Sequence, residues 1–211
     1  MIKILIADDH PIVRRGLREI IEDEPDMKIE CEAASASEVI DNLRKHNIDV
    51  VLLDISMPGK SGLDLILDLK KEFPDKSVLV LSAMSEEIYA KRAIKSGALG
   101  FMNKESAPEL LVEAIRKVES GKYFISEKMV ELIANDMTGN KNDKLHEILS
   151  EREFEVLRFI GSGKSVGDIA EILNLSVTTI STYRARILEK LKMKNNSELI
   201  QYCINEKLIM D

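Results

Sequence analysis

The sequence predicts an α/β fold, a doubly wound parallel five-stranded sheet, followed by a small all-α domain. Three observations carry this. Short β-branched runs alternate with segments of helical period through the first 120 residues, the alternation stops after Gly121, and from Ser150 only helical patterning remains. The strand runs are Lys3–Ala7, Lys28–Cys31, Val50–Leu53, Val78–Leu81 and Gly100–Met102. Val13, Leu17, Ile20 and Ile21 fall on one helical face after the first strand. Leu65, Ile66 and Leu69 do the same after the third, and Leu110, Leu111, Ala114, Ile115 and Val118 after the fifth. Five strands alternating with five helices require a parallel sheet covered on both faces, and the wholly apolar Val50–Leu53 suits its centre.

Residues 1–120 make up this first domain, 121–147 a connecting segment and 148–211 the second domain. Within the connection, Ser126–Asp136 reads as a short helix capped by Ser126, with Met129, Val130 and Ile133 on its apolar side. The polar MTGNKNDK at 137–144 reads as a linker. Ser150 with Glu153 fits a capping box, and Phe154, Leu157 and either Phe159 or Ile160 form a stripe that ends at Gly161-Ser162-Gly163. Ser165–Leu173 is a second helix, Asn174-Leu175-Ser176 a tight turn, Val177–Met193 a third helix and Ser197–Asn205 a fourth.

Composition narrows the class. With 45% hydrophobic and 32% charged residues, the 211-residue chain can bury a core. No run of 18 apolar residues suggests a membrane span. The start, MIKILIADDH, runs directly into a strand pattern without the regions of a signal peptide. Two cysteines, Cys31 and Cys203, exclude a disulfide scaffold and a cysteine-rich zinc site, and a reducing cytoplasm is expected.

Three carboxylates stand out by position. Asp8 and Asp9 follow the first strand and Asp54 ends the third. Ligands of open parallel sheets bind outside the carboxyl strand ends, at the switch in strand order, where these groups converge. Two like charges ~4 Å apart repel by about 4 kcal/mol at an effective dielectric near 20, so the cluster calls for a cation. Oxygen ligands in an open, hydrated site suit Mg²⁺. Ser82 ends the fourth strand and Lys104 follows the fifth, at the same edge. One reaction unites them: Asp54 attacks a phosphoryl group, Lys104 and the cation neutralise its oxygens, and Ser82 hydrogen-bonds to the product.

In the second domain, two helices joined by a short turn, the latter basic and amphipathic, suggest a helix-turn-helix. Ile180, Ile187, Leu188 and Leu191 mark its buried side, while Ser181, Thr182 and Ala185 fall where a recognition helix meets base edges. Lys164, Thr178, Arg184, Arg186, Lys190, Lys192 and Lys194 are candidates for phosphate contacts to double-stranded DNA, and Thr179 is a further candidate DNA-binding residue. The net charge of −7 does not oppose this. Residues 1–120 hold 17 basic and 23 acidic side chains, whereas residues 176–196 hold five basic and one acidic.

With LIADDHP, VLLDISMPGKSGLDL, VLSA and the Gly-Phe-Met-Asn-Lys run at 100–104, residues 1–120 resemble a response-regulator receiver domain, a flavodoxin-like fold. That resemblance implies Asp54 as phospho-acceptor from a sensor histidine kinase, and Mg²⁺ on Asp8, Asp9, Asp54 and the Ser56 backbone carbonyl. It also implies Ser82 and Phe101 as a switch pair, with Pro58 and Gly59 shaping the loop after Asp54. Phe101 lacks a tyrosine hydroxyl, so such a switch works by packing alone. Residues 149–202, from LSEREFEVL to SELIQY, resemble the LuxR-type helix-turn-helix of the NarL/FixJ subfamily. Glu151 and Glu155 would then lie in its first helix, and Ile169, Ala170, Leu173, Ser176, Val177, Ile180 and Leu188 would be packing or turn residues. The fourth helix would dimerise, with Tyr202 and Cys203 at that contact or Cys203 a small apolar filler. Together these imply a phosphorylation-controlled transcription regulator, a homodimer when active, reading an inverted repeat.

Other readings are weaker. Gly161-Ser162-Gly163-Lys164-Ser165 resembles the tail of a P-loop, but Arg158 stands where its first glycine belongs and a helix precedes it. His10, His46 and His146 show no metal-ligand spacing. A phosphohydrolase using an aspartyl phosphate needs a general acid two residues after the nucleophile, where Ser56 stands. A third alternative is a scaffold whose receiver binds partners without engaging DNA.

Overall fold

Five parallel strands lie in the order β2-β1-β3-β4-β5 in a computed structural model that describes residues 1–57, 60–106, 108–127, 129–130 and 144–209. They are β1 (Ile2–Ala7), β2 (Met27–Ala33), β3 (Val50–Asp54), β4 (Ser77–Ser82) and β5 (Gly100–Asn103). The crossovers are α1 (Pro11–Glu22), α2 (Ala36–Lys45), α3 (Gly62–Glu72) and α4 (Glu86–Ser96), and α5 (Pro108–Glu119) follows β5. Strand order reverses at β1, which pairs with β2 through Ile2↔Met27 and with β3 through Ile4↔Val50. The carboxyl ends of β1 and β3 are therefore neighbours at the switch point.

Every residue of β3 and β4 is buried, as their position inside the sheet requires. On one face Ile4, Ile6, Val50, Leu52, Leu79 and Leu81 meet Ile21 of α1 and Ala114 and Ile115 of α5. Leu110 departs from expectation: it is exposed, while Val112 is buried. Gly100 has no room for a side chain, since an added Cβ would stand 2.7 Å from Leu79 and 3.0 Å from the Phe124 carbonyl. Ser126 caps the next helix as expected, accepting from the Met129 amide at 3.2 Å. Met129 is buried but Val130 is exposed. The rest of that helix, Ile133, the linker residues 137–143 and the loop residues Pro58 and Gly59 lie outside the described residues.

The chain divides into two compact units, Met1–Asn140 and Lys141–Asp211. The second holds a 3₁₀ turn (Leu145–Ile148) and helices α6 (Glu151–Gly161), α7 (Val166–Ile172), α8 (Val177–Leu191) and α9 (Asn196–Asn205). Each of these helices carries its own start signal. Ser150 and Glu153 complete the expected capping box, and Ser165 with Asp168 forms a second. Ser176 and Asn195 cap α8 and α9. Such caps contribute typically ~1 kcal/mol each, which matters for a unit this small. Ile160 rather than Phe159 completes the buried stripe of α6, with Phe154 and Leu157. Cys203 is fully buried, and an added Cβ on Gly161 would lie 2.6 Å from it, so Cys203 is the core filler and Gly161 makes room for it. Tyr202 turns its hydroxyl onto the His146 backbone amide at 3.1 Å. Among the described residues no helix is long and apolar enough to cross a membrane.

Candidate functional site

The first site is built from strand ends. β1 delivers Asp8 and then Asp9, and β3 ends on Asp54. β4 ends on Ser82, and the Lys104 amide donates to the Ser82 carbonyl at 3.0 Å, prolonging the β4–β5 ladder by one rung. That rung aims a long side chain across the sheet edge. Lys104 Nζ donates to Asp8 Oδ2 at 2.6 Å and to Asp54 Oδ2 at 2.7 Å. Both carboxylates are 2% exposed, so neither is screened by solvent. Burial pushes the Lys104 ammonium down, but its bonds to Asp54 and Asp8 outweigh this and hold it above the ordinary lysine value.

The other carboxylate oxygens are held locally. The Ser56 amide donates to Asp54 Oδ1 at 2.8 Å, and the His10 amide to Asp8 Oδ1 at 2.8 Å. Asp9 Oδ1 is buried without a hydrogen-bond partner, although His10 Nδ1 lies 2.9 Å away. Ligand atoms of Asp8, Asp9, His10 and Asp54 lie within 4.8 Å of one another. Three converging carboxylates with an orphaned oxygen fit a hard divalent cation. Ser82 is fully buried and its Oγ accepts from the Met84 amide at 3.1 Å. Phe101 is 2% exposed, its ring already enclosed.

Two residues that sequence reasoning did not single out shape this site. Arg14 of α1 donates from Nη1 to the Asp8 carbonyl at 2.7 Å and from Nε to Glu32 Oε2 of β2 at 2.8 Å. Arg18 holds the other Glu32 oxygen at 2.5 Å. The peptide of Asp8 is thus clamped from behind. Gly62 opens α3 against the loop after Asp54, where an added Cβ would fall 2.3 Å from the Ile55 Cα. The only signal for either was the shape of the loops around them: an arginine one turn into α1, and a glycine after a serine at the α3 start.

The second surface is α8. Ile180, Ile187 and Leu191 are buried as expected, whereas Leu188 is only partly covered. Thr178, Ser181, Thr182, Ala185, Arg186, Lys192 and Lys194 are exposed, as is Lys164 before α7, and Thr179 is half-buried. Of the two roles expected for Val177, packing or turn, it takes the turn side: it follows the Ser176 cap, opens α8 and is 56% exposed. Thr179 is occupied in the cap, its Oγ1 2.7 Å from Ser176 Oγ. Arg184 donates from Nε to Asn196 Oδ1 at 2.5 Å. Lys190 is also exposed, and its Nζ donates to the buried Glu153 Oε2 at 2.6 Å, tying α8 to the start of α6. Burial raises Glu153, but Lys190 and the Ser150 cap outweigh it and hold the carboxyl below its ordinary value.

A doubly wound sheet with an acidic edge crossed by a lysine, in a chain with a capped helix-turn-helix, defines a response regulator with a DNA-binding output domain. Residues 4–116 match the response regulator receiver domain, and residues 147–203 match the bacterial regulatory proteins of the luxR family. The chain belongs to the NarL/FixJ family of response regulators. It is 36% identical to the oxygen regulatory protein NreC of Staphylococcus epidermidis, over 98% of this chain and 99% of that protein. It is 34% identical to the response regulator UvrY of Escherichia coli, over 99% and 96%. Among solved structures it is similar to RcsB of Salmonella enterica serovar Typhimurium bound to promoter rprA with the phosphomimetic BeF3-, at 32% identity and a TM-score of 0.66, covering 96% and 98% of the two chains.

Proposed function

We propose that Asp54 accepts a phosphoryl group from a sensor histidine kinase and that this controls sequence-specific DNA binding by a homodimer. The observation that carries the reading is Lys104 Nζ, 2.6 Å from Asp8 and 2.7 Å from Asp54, at the switch point of the sheet. Domain organisation follows the same reading: 1–120 receives the phosphoryl group, 121–147 connects, and 148–211 binds DNA.

An Asp54 carboxylate oxygen attacks phosphorus, a P–O bond forms as the donor's P–N bond breaks, and the imidazole nitrogen leaves with the bond's electron pair. Asp8, Asp9, Asp54 and the Ser56 carbonyl would hold Mg²⁺, which supplies charge neutralisation at the phosphoryl oxygens when bound. Lys104 keeps its proton and moves its contact from Asp54 to the new phosphate. Ser82 donates its hydroxyl to a phosphate oxygen, and the β4–α4 loop repacks around the enclosed Phe101. The added charge of roughly −1.5 to −2 biases an existing two-state element rather than building a new fold. On DNA, Thr178, Ser181, Thr182 and Ala185 face the groove, and Lys164, Arg186 and Lys192 lie along its phosphates. Two such units in a dimer read an inverted repeat. RcsB, bound to promoter DNA, supports this reading.

Treatment with a small acyl-phosphate donor and Mg²⁺ is expected to add one phosphoryl mass to the chain. Asp54→Asn is expected to abolish the addition. Retention of the added mass in that variant overturns the assignment.

A further inference from the structure

Val177, Thr178, Ser181, Thr182 and Ala185 are all exposed on α8, at positions i, i+1, i+4, i+5 and i+8, and so share one face. None carries a charge or an amide. Val177, with no stripe of its own to join, presents its branched methyls to solvent at 56% exposure. Thr182 Oγ1 donates to the Thr178 carbonyl at 3.0 Å, so its hydroxyl proton is used within the helix and its γ-methyl remains. Of the longer polar side chains nearby, Arg184 is engaged with Asn196 and Lys190 with Glu153, while Arg186 is exposed at the edge of this face.

Base edges in the major groove are read by a small set of groups. Arginine or lysine takes the two acceptors of guanine, asparagine or glutamine brackets adenine, and apolar groups meet the thymine methyl. This face lacks the first two kinds. It offers methyl groups from Val177, Thr178, Thr182 and Ala185, and short side chains that allow the backbone to approach closely.

We propose that α8 reads its DNA through thymine C5-methyl groups, with Val177 and Thr182 as the specificity-determining residues, so that the ligand is a half-site with thymines at the positions these two side chains meet. The inference rests on the DNA-binding reading above. It adds that hydrogen bonds to guanine contribute little to the choice of site, and that Arg186, exposed beside Ala185, serves the phosphates.

The test uses the full chain, phosphorylated and unphosphorylated, to select duplexes from a random pool. The selected duplex is remade with deoxyuridine for thymidine, which removes only the methyl groups. Wild type is expected to bind the deoxyuridine duplex about tenfold more weakly. Thr182→Ser and Val177→Ala, which delete methyls from exposed positions, are each expected to bring the two affinities closer together, with the thermal melting of the protein unchanged. Equal binding of both duplexes by wild type overturns the inference while leaving DNA binding intact. So does an unchanged ratio in both variants, which would place the thymine effect in duplex shape. Relaxed sequence preference in Arg186→Met with no thymine effect overturns it as well. Failure to select any duplex overturns the DNA-binding reading and the inference with it.

Discussion

Each unit sets a lysine against a buried carboxylate, and the two arrangements differ in their balance. In the helical unit Lys190 meets Glu153, one charge against one, and Glu153 is further satisfied by the Ser150 amide at 2.8 Å. At the sheet edge Lys104 faces Asp8 and Asp54 with Asp9 alongside, three carboxylates to one ammonium, and the Asp9 oxygen that lacks a hydrogen bond among the described residues has only His10 Nδ1 near it, 2.9 Å away. A balanced pair is complete, and its contribution is structural. An unbalanced cluster holds repulsion that an incoming cation relieves, so its contribution appears when a ligand arrives. An ammonium set against carboxylate thus serves architecture in one unit and chemistry in the other.

The comparison breaks most sharply at Lys104. Lys104→Met leaves two carboxylates, each 2% exposed, without their shared counter-charge. A loss of about 3–5 kcal/mol is expected, the range for one partner removed from a buried pair. Urea unfolding of the variant at pH 7 measures it, and added Mg²⁺ is expected to restore part, because a cation can replace the ammonium's charge. A loss that Mg²⁺ does not touch would contradict an unbalanced, cation-seeking cluster. The pH dependence has a definite sign. Lys104 is held above the ordinary lysine value, so its contribution is fully present below that value and fades as pH rises through the higher folded one.

The parts of this cluster that the sequence made legible are those fixed by strand ends. A buried run such as Val50–Leu53 can end only at a sheet edge, so the next residue, Asp54, was placed by its neighbours, and Asp8, Ser82 and Lys104 followed by the same logic. What stayed hidden was long-range pairing between side chains of different elements. Nothing local links Arg14 with Glu32, 18 positions apart, or Lys190 with Glu153, 37 apart. A lysine on a basic helix has the same sequence signature whether it meets a phosphate or a buried glutamate.

Arg14 sharpens the comparison at smaller scale. Its contacts to the Asp8 carbonyl and Glu32 are outside the acidic cluster but set how the Asp8–Asp9 peptide presents its carboxylates. Arg14→Gln is expected to weaken divalent-cation affinity about tenfold, the lower end for residues that orient metal ligands. Electron paramagnetic resonance of free Mn²⁺ during titration reads the affinity directly, without phosphorylation. Arg14→Lys, which can keep one of the two contacts, is expected to fall between. Unchanged Mn²⁺ affinity in Arg14→Gln would mean the β1–α1 loop holds its shape without the clamp.

The smallest effect tests the balanced side. Lys190 is 39% exposed in its side chain while Glu153 is 4% exposed, so the pair is half screened. Lys190→Met is expected to destabilise the helical unit by about 1–2 kcal/mol, between the values for exposed and buried pairs. Because Glu153 is held below its ordinary value, the pair's contribution is present above the carboxylate range and is lost as pH falls through the folded value. The variant should therefore lose its disadvantage in acid. Its DNA binding separates the two roles the sequence allowed. A lysine on phosphate contributes about 0.9 to the slope of log affinity against log salt. Lys192→Met is expected to reduce that slope, and Lys190→Met to leave it unchanged even where affinity drops through lost stability. A reduced slope in Lys190→Met would return this residue to the DNA and show that its bond to Glu153 opens on binding.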